Sequence, residues 1–246
     1  MKKWLKSLFQ KKQVSRTPQY LVDAANALSA YTTSPMKVVD VGSCRGNEIN
    51  HMSDVFESME VHCFEPNVEL YYSLTMAKEP INMKKWVHQK ALVRTGQPKL
   101  MDYYPAFPEQ SCSMLIAGSC FHGDQYTTTK VETTTFDKWL LDQSFGNVDL
   151  LNIDTSGTEN DVLLGAFDSL YEGKIGAVIV NISWVDEYVH QSQFSAIHDL
   201  MLSTGYRLFN NYDIAYDGLK MIRHSKVLYL SHDCYKKYAT RIALGA

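Results

Sequence analysis

The chain alternates short, almost wholly apolar runs with helix-length segments, and few folds accommodate that pattern. Residues 37–41, 61–64, 86–92, 148–153 and 177–182 read as strands. Helical spacing of apolar positions marks 47–58, 68–77, 159–170 and 189–203, with a shorter helix near 137–142. Strands this apolar are buried on both faces, and strands joined through helices pair in parallel. The expected class is therefore α/β: a mainly parallel sheet with helices on both faces. Two more strand-like segments, 206–210 and 226–230, follow the last of these helices, which ends at Gly205, a residue suited to a helix C-cap. They predict an antiparallel edge strand. Residues 99–135 show only short strands and loops rich in Ser, Thr and Tyr, as expected of an insertion.

At 246 residues the chain suits one large domain. The expected organisation is an N-terminal basic, amphipathic leader and helix over residues 1–34, followed by a single domain over 35–246. In the leader, Lys2, Lys3, Lys6, Lys11 and Lys12 surround Trp4, Leu5, Leu8 and Phe9. A segment this short reads as a solvated helix, with weak contact to a membrane surface or a partner as the alternative. A net charge of −3 excludes a global attraction to nucleic acid. The five cysteines are odd in number and form no C-x-x-C pair, which argues against a disulfide framework and structural zinc. Without an apolar run of the ~18–20 residues a spanning helix needs, the expected location is cytoplasmic. The oligomeric state is not legible.

The strongest local signal is Val38-Val39-Asp40-Val41-Gly42-Ser43-Cys44-Arg45-Gly46-Asn47, a strand feeding a glycine-bearing turn that opens a helix. Such a turn lets backbone approach a ligand and aims amides at it. Glu65 lies 23 residues after Gly42, directly behind the strand 61–64. A carboxylate there can accept hydrogen bonds from both ribose hydroxyls of an adenosine-containing ligand. A dinucleotide fingerprint wants G-x-G-x-x-G, whereas this turn holds Gly42 and Gly46 alone, behind Asp40. The D-x-G arrangement favours a methyl donor, which has no pyrophosphate to seat.

With these residues the chain resembles the FkbM-type S-adenosylmethionine-dependent methyltransferases. The likeness rests on Val38 to Gly42 with Gly46, Phe64-Glu65-Pro66, Lys90-Ala91-Leu92, Thr135-Phe136-Asp137, and Leu150-Leu151-Asn152-Ile153-Asp154 followed by Gly157, Glu159, Leu163, Gly165 and Ala166. It spans roughly residues 37–210. The resemblance implies a Rossmann-like, seven-stranded methyltransferase fold and O-methylation, often of sugars or polyketide-type natural products. It implies donor-binding roles for Asp40, Gly42, Gly46 and Glu65, with Ser43 in the same turn and the adenine near Ala91. Where the family usually reads Lys-Ile-Asp-x-Glu-Gly-x-Glu, this chain has Asn152-Ile153-Asp154-Thr155-Ser156-Gly157-Thr158-Glu159, and a further family acid is here Asn181.

On the acceptor side, Asp154 ends a buried strand on the edge where open α/β sheets bind ligands. It is the first candidate to orient the acceptor hydroxyl or take its proton. His122, in the 118–123 loop, is the second, because a histidine base suits neutral pH. Asp154 with Asn181 supplies too few oxygen ligands for a magnesium site, so no metal is expected. Tyr103, Tyr104, Phe107, Phe121, Tyr126 and Trp184 are candidates to stack on sugar rings, with core or loop packing as the plainer reading. The expected function is O-methylation of a carbohydrate, a nucleotide sugar or a glycan. The alternatives are a small natural product as acceptor, or a donor-binding interaction protein whose catalytic half has decayed.

Overall fold

The computed structural model describes residues 17–32, 35–94, 100–104, 113–115 and 128–245. The leader 1–13, His122, Phe107, Phe121 and Tyr126 lie outside them. Helix α1 spans Gln19–Leu28. A β-α succession follows: β1 Met36–Val41, α2 Asn47–Ser53, β2 Met59–Phe64, α3 Val68–Met76 and β3 Met83–His88. Next come β4 Ala91–Leu92, β5 Leu100–Tyr103, β6 Thr129–Thr134, α4 Phe136–Gln143 and β7 Val148–Ile153. The chain continues through α5 Glu159–Leu164, α6 Phe167–Tyr171, β8 Ile175–Ser183, α7 Phe194–Ser203, β9 Arg207–Tyr216, β10 Ile222–Leu230 and α8 His232–Ala243. No described helix is long and apolar enough to cross a membrane.

Seven strands form one sheet in the order β3-β2-β1-β7-β8-β10-β9. Every pairing from β3 through β8 is parallel, and β10 runs against both of its neighbours. The reversed strand thus lies one place in from the edge, and β9 forms the edge itself. From β1 the chain builds outward to β3 on one side and from β7 outward on the other. A crevice opens at that switch point, over the carboxyl ends of β1 and β7. β4, β5 and β6 make a separate three-stranded sheet in the order β4-β6-β5.

Strand alternation divides the core by sheet face. Val39, Val41, Leu151, Ile153 and Val180 pack with Phe136, Trp139, Val162, Leu163, Ile197 and Met201. Val38, Val61, Cys63, Leu150, Ile179 and Leu228 pack with Leu21, Ala24 and Leu28 of α1, Ile49 and Met52 of α2, and Cys234 of α8. Each such aliphatic side chain contributes about 1.5–3 kcal/mol of burial. On this second face the same alternation places Asp40 after Val38, Asn152 after Leu150, Asn181 after Ile179, and Lys226 before Leu228. The apolar face therefore turns polar at the carboxyl ends of the parallel strands.

The structure corrects several element boundaries. The apolar segment 86–92 is two strands: β3 stays in the main sheet, while Ala91 and Leu92 leave it to pair with Thr133 and Thr134 of β6. The helix expected over 159–170 breaks at Gly165. A Cβ there would lie 2.2 Å from the Val93 carbonyl oxygen, so backbone packs where a continuous helix would place side chains. The helix expected from residue 189 begins instead at Phe194, after His190 takes a left-handed turn at φ 63. The helix from Asn47 stops at Ser53. Helix α8 was not anticipated; the Ser231 hydroxyl caps it by accepting from the Cys234 amide at 3.2 Å.

Candidate active site

The β1–α2 turn is shaped by close approach. Gly42 has φ +83, and a Cβ on it would stand 1.9 Å from the Asp154 carbonyl oxygen. The turn therefore needs glycine to bring the ends of β1 and β7 together. The Gly42 and Ser43 amides donate to the Phe64 carbonyl at 3.0 and 3.2 Å, joining the turn to the end of β2. The Ser43 hydroxyl folds back onto the Asp40 carbonyl at 2.9 Å. Gly46, at φ +77, opens α2 against Leu74 and Ile49.

That geometry leaves a cleft beside the carboxyl ends of β1 and β7. Gly42, Glu65, Ala91 and Asp154 line it, as do Cys44, Phe64, Pro66, Leu70, Leu92, Tyr103, Met114 and Thr155. Asp40, Ser43 and Gly46 do not; they sit behind the wall and build the turn. His122 lies outside the described residues. Trp184 packs instead on Phe194, with its indole nitrogen donating to Ser225 at 2.8 Å.

Glu65 forms one wall of the cleft. The Cys44 amide donates to Oε2 and the Asn67 amide to Oε1, each at 2.8 Å. Each oxygen keeps acceptor capacity for a further donor. The side chain is almost fully buried, and desolvation pushes its pKa up to about 7 despite the two amide bonds. Cys44 reaches Glu65 by taking a left-handed conformation, φ 49, a feature that sequence reading missed.

Asp154 forms the opposite wall. Asn181 Nδ2 donates to its Oδ1 at 2.9 Å, and Lys226 Nζ lies 3.4 Å from Oδ2. The Asp154 side chain remains 41% exposed. The loop behind it is shaped by buried Glu159, whose Oε1 accepts from the Thr155 and Gly157 amides, both at 3.0 Å. Burial raises the Glu159 pKa to about 7. Beneath both walls, Asn152 Nδ2 donates to Asp40 Oδ1 at 2.6 Å, while Asp40 Oδ2 has no hydrogen-bond partner among the described residues. Burial lifts the Asp40 pKa to about 6.

Lys226 was not foreseen, nor were its companions Glu48 and Tyr20. No local pattern marks a lysine in the middle of β10 as a partner of an aspartate 72 residues earlier. Among the described residues no cluster of three or more His, Cys, Asp or Glu is placed to hold a metal ion.

With this geometry in hand, the chain can be compared with known proteins. It is 21% identical over 201 residues to the 2-O-methyltransferase NoeI of Sinorhizobium fredii (strain NBRC 101917 / NGR234), covering 77% of this chain and 80% of that protein. Similar solved structures include the magnesium protoporphyrin IX methyltransferase ChlM of Synechocystis PCC 6803 (TM-score 0.49, 9% identity, 87% and 78% of the two chains). Another is the fibrillarin of Aeropyrum pernix (TM-score 0.46, 10% identity, 86% and 75%). The model of the methyltransferase FkbM domain matches residues 40–208, from the acid of the β1 turn to β9. The chain therefore belongs to the FkbM methyltransferase family, and its methyl donor is S-adenosylmethionine.

Proposed function

We propose that the chain transfers the donor's methyl group to a hydroxyl of a carbohydrate, either a nucleotide sugar or a glycan. One observation carries this reading. The cleft holds an amide-anchored carboxylate, Glu65, on one wall, and on the other an exposed carboxylate, Asp154, fixed by side chains from two further strands.

The residues present fit the donor. Phe64, Ala91, Leu92 and Leu70 offer apolar surface for an adenine, and both Glu65 oxygens retain acceptor sites for ribose hydroxyls. Gly42 and the rest of the turn hold the backbone that faces the ligand. When bound, the donor supplies a methyl group on a sulfonium, already a good leaving group. Asp154 then has two tasks: to aim the acceptor oxygen along the line of transfer, and to accept its proton at a carboxylate oxygen as the new C–O bond forms. With a reference pKa near ~3.9 a carboxylate is a weak base, so its proton transfer comes late, when the hydroxyl has become acidic. In-line positioning supplies most of the rate.

Support for an oxygen acceptor comes from the name of the 2-O-methyltransferase NoeI, and support for a sugar comes from a second groove that meets the cleft at Met114. That groove carries the Asp102–Lys130 ion pair, 2.8 Å apart, beside His190 and the apolar Leu100 and Val189. Such a mix suits the hydroxyls and apolar faces of a sugar ring. The test is incubation of the purified protein with methyl-labelled donor and a panel of free sugars, nucleotide sugars, glycans and non-sugar alcohols. The expected result is label in a sugar hydroxyl with equimolar S-adenosylhomocysteine. Label confined to non-sugar alcohols would replace the acceptor class. Donor binding with no transfer to any hydroxyl would favour an interaction protein instead.

A further inference from the structure

β10 lies beyond the segment matched by the family model, yet it brings a cation into the site. Lys226 pairs in register with Asn181 of β8. Its ammonium lies 3.4 Å from Asp154 Oδ2 and 3.7 Å from Glu48 Oε1, and 5.3 Å from the centre of the Tyr20 ring. The side chain is only 14% exposed. Tyr20, from α1, donates its hydroxyl to Glu48 Oε1. A buried ammonium costs several kcal/mol unless it is paired. Here burial alone would lower the lysine's pKa, and the carboxylates of Asp154, Glu48 and Asp40 outweigh it and hold the proton on.

The placement is asymmetric. The ammonium stands closer to Asp154, at 3.4 Å, than to Glu48, at 3.7 Å, although Asp154 is the more exposed of the two, at 41% against 21%. Among the described residues, the other ionisable groups coupled to Asp154 or to Lys226 are acids: Glu159 from α5 and Tyr20 from α1 beside Asp154, and Glu48 from α2 and Asp40 from β1 beside Lys226. Among these groups the Lys226 ammonium is the one positive charge.

We propose that Lys226 is a positioning residue for methyl transfer, holding the Asp154 carboxylate aimed into the cleft while Glu48 and Tyr20 hold the ammonium in place from α2 and α1. The proposal rests on the reading of Asp154 as the group that serves the acceptor. Lys226 touches neither donor nor acceptor in this scheme. It acts through Asp154 alone.

The test is single-turnover methyl transfer beside calorimetric donor binding in the full chain. Lys226→Met should slow transfer at saturating donor by about 10-fold or more while donor affinity changes less than about 2-fold. Lys226→Arg should restore most of the rate. Lys226→Gln keeps a hydrogen-bond donor without the charge, so it should behave as Lys226→Met and serves if that variant fails to fold. Because the lysine acts through Asp154, Lys226→Met should add little further loss in the Asp154→Asn background. A folded Lys226→Met or Lys226→Gln protein that transfers methyl at the wild-type rate, or a loss that adds in full to that of Asp154→Asn, would overturn the proposal. Undiminished turnover in Asp154→Asn is a separate outcome: it would overturn the assignment of Asp154 on which the proposal rests.

Discussion

The two walls of the cleft are built differently. Glu65 is held by backbone amides from its own neighbourhood, Cys44 and Asn67, on the turns at the ends of β1 and β2. Asp154 is held by side chains from β8 and β10, and its partners lie 27 and 72 residues away. A wall made of backbone depends on turn geometry and tolerates many side-chain changes. A wall made of an acid, an amide and an ammonium depends on three separate residue identities. The donor side is thus a property of the turn, while the acceptor side is free to vary with substrate.

Several measurements would break or sharpen that contrast, and the largest effect belongs to the acceptor wall. Asp154→Asn keeps the shape but removes the proton-accepting charge, so kcat should fall roughly 100-fold or more while donor affinity barely moves. Single-turnover transfer beside calorimetric donor binding checks both halves of the statement. Normal turnover would make His122 the next candidate. On the donor wall, Glu65→Ala leaves two ribose hydroxyls without their acceptor. Donor binding should weaken by about 1.5–3 kcal/mol, roughly 10- to 100-fold, as for hydrogen bonds to a charged group. Unchanged affinity would remove Glu65 from the donor site.

A smaller effect should appear as proton linkage. Burial holds Glu65 protonated up to about pH 7, and donor hydroxyls favour its ionised form. Donor binding at pH ~6.5 should therefore release a fraction of a proton, read as a buffer-dependent heat of binding, and Glu65→Gln should abolish it. The same shift bears on stability. A carboxyl whose folded pKa lies above its unfolded value of ~4.3 binds more protons in the folded state between the two. The stability it contributes is present at low pH and lost as pH rises through about 7. Glu159, also raised by burial to about 7, acts in the same direction. His62 and His88, pushed down by burial to about 4, act in the opposite direction below pH ~6.5, so the Glu65 contribution is read as a difference: the melting temperature of the donor-free wild type should fall relative to that of Glu65→Gln as pH rises from ~5 to ~8.

The contrast also governs what was legible in the sequence. The apolar runs, Gly42 and Glu65 are local patterns, and they predicted the parallel sheet, the switch-point crevice and one wall of the cleft. In the sequence Gly42 signals room for a ligand; in the structure its first constraint is the carbonyl of Asp154. Ala91 was read as part of one long strand, because a continuous apolar run carries no mark of the point where the chain leaves a sheet. The break at Gly165 depends on Val93, some 70 residues away, and helix α8 is polar on average, with only Cys234 fully buried. Lys226 and Glu48 reach Asp154 only through tertiary packing, which periodicity and motif spacing do not encode.

The most direct test of the two-walled cleft is a crystal structure of the protein with S-adenosylhomocysteine. The account predicts both ribose hydroxyls within about 2.6–3.2 Å of the Glu65 oxygens, the adenine against Ala91 and Leu92, and the sulfur on the side of the cleft facing Asp154. A ribose seated away from Glu65, or a sulfur turned from Asp154 so that no acceptor fits between them, would contradict it.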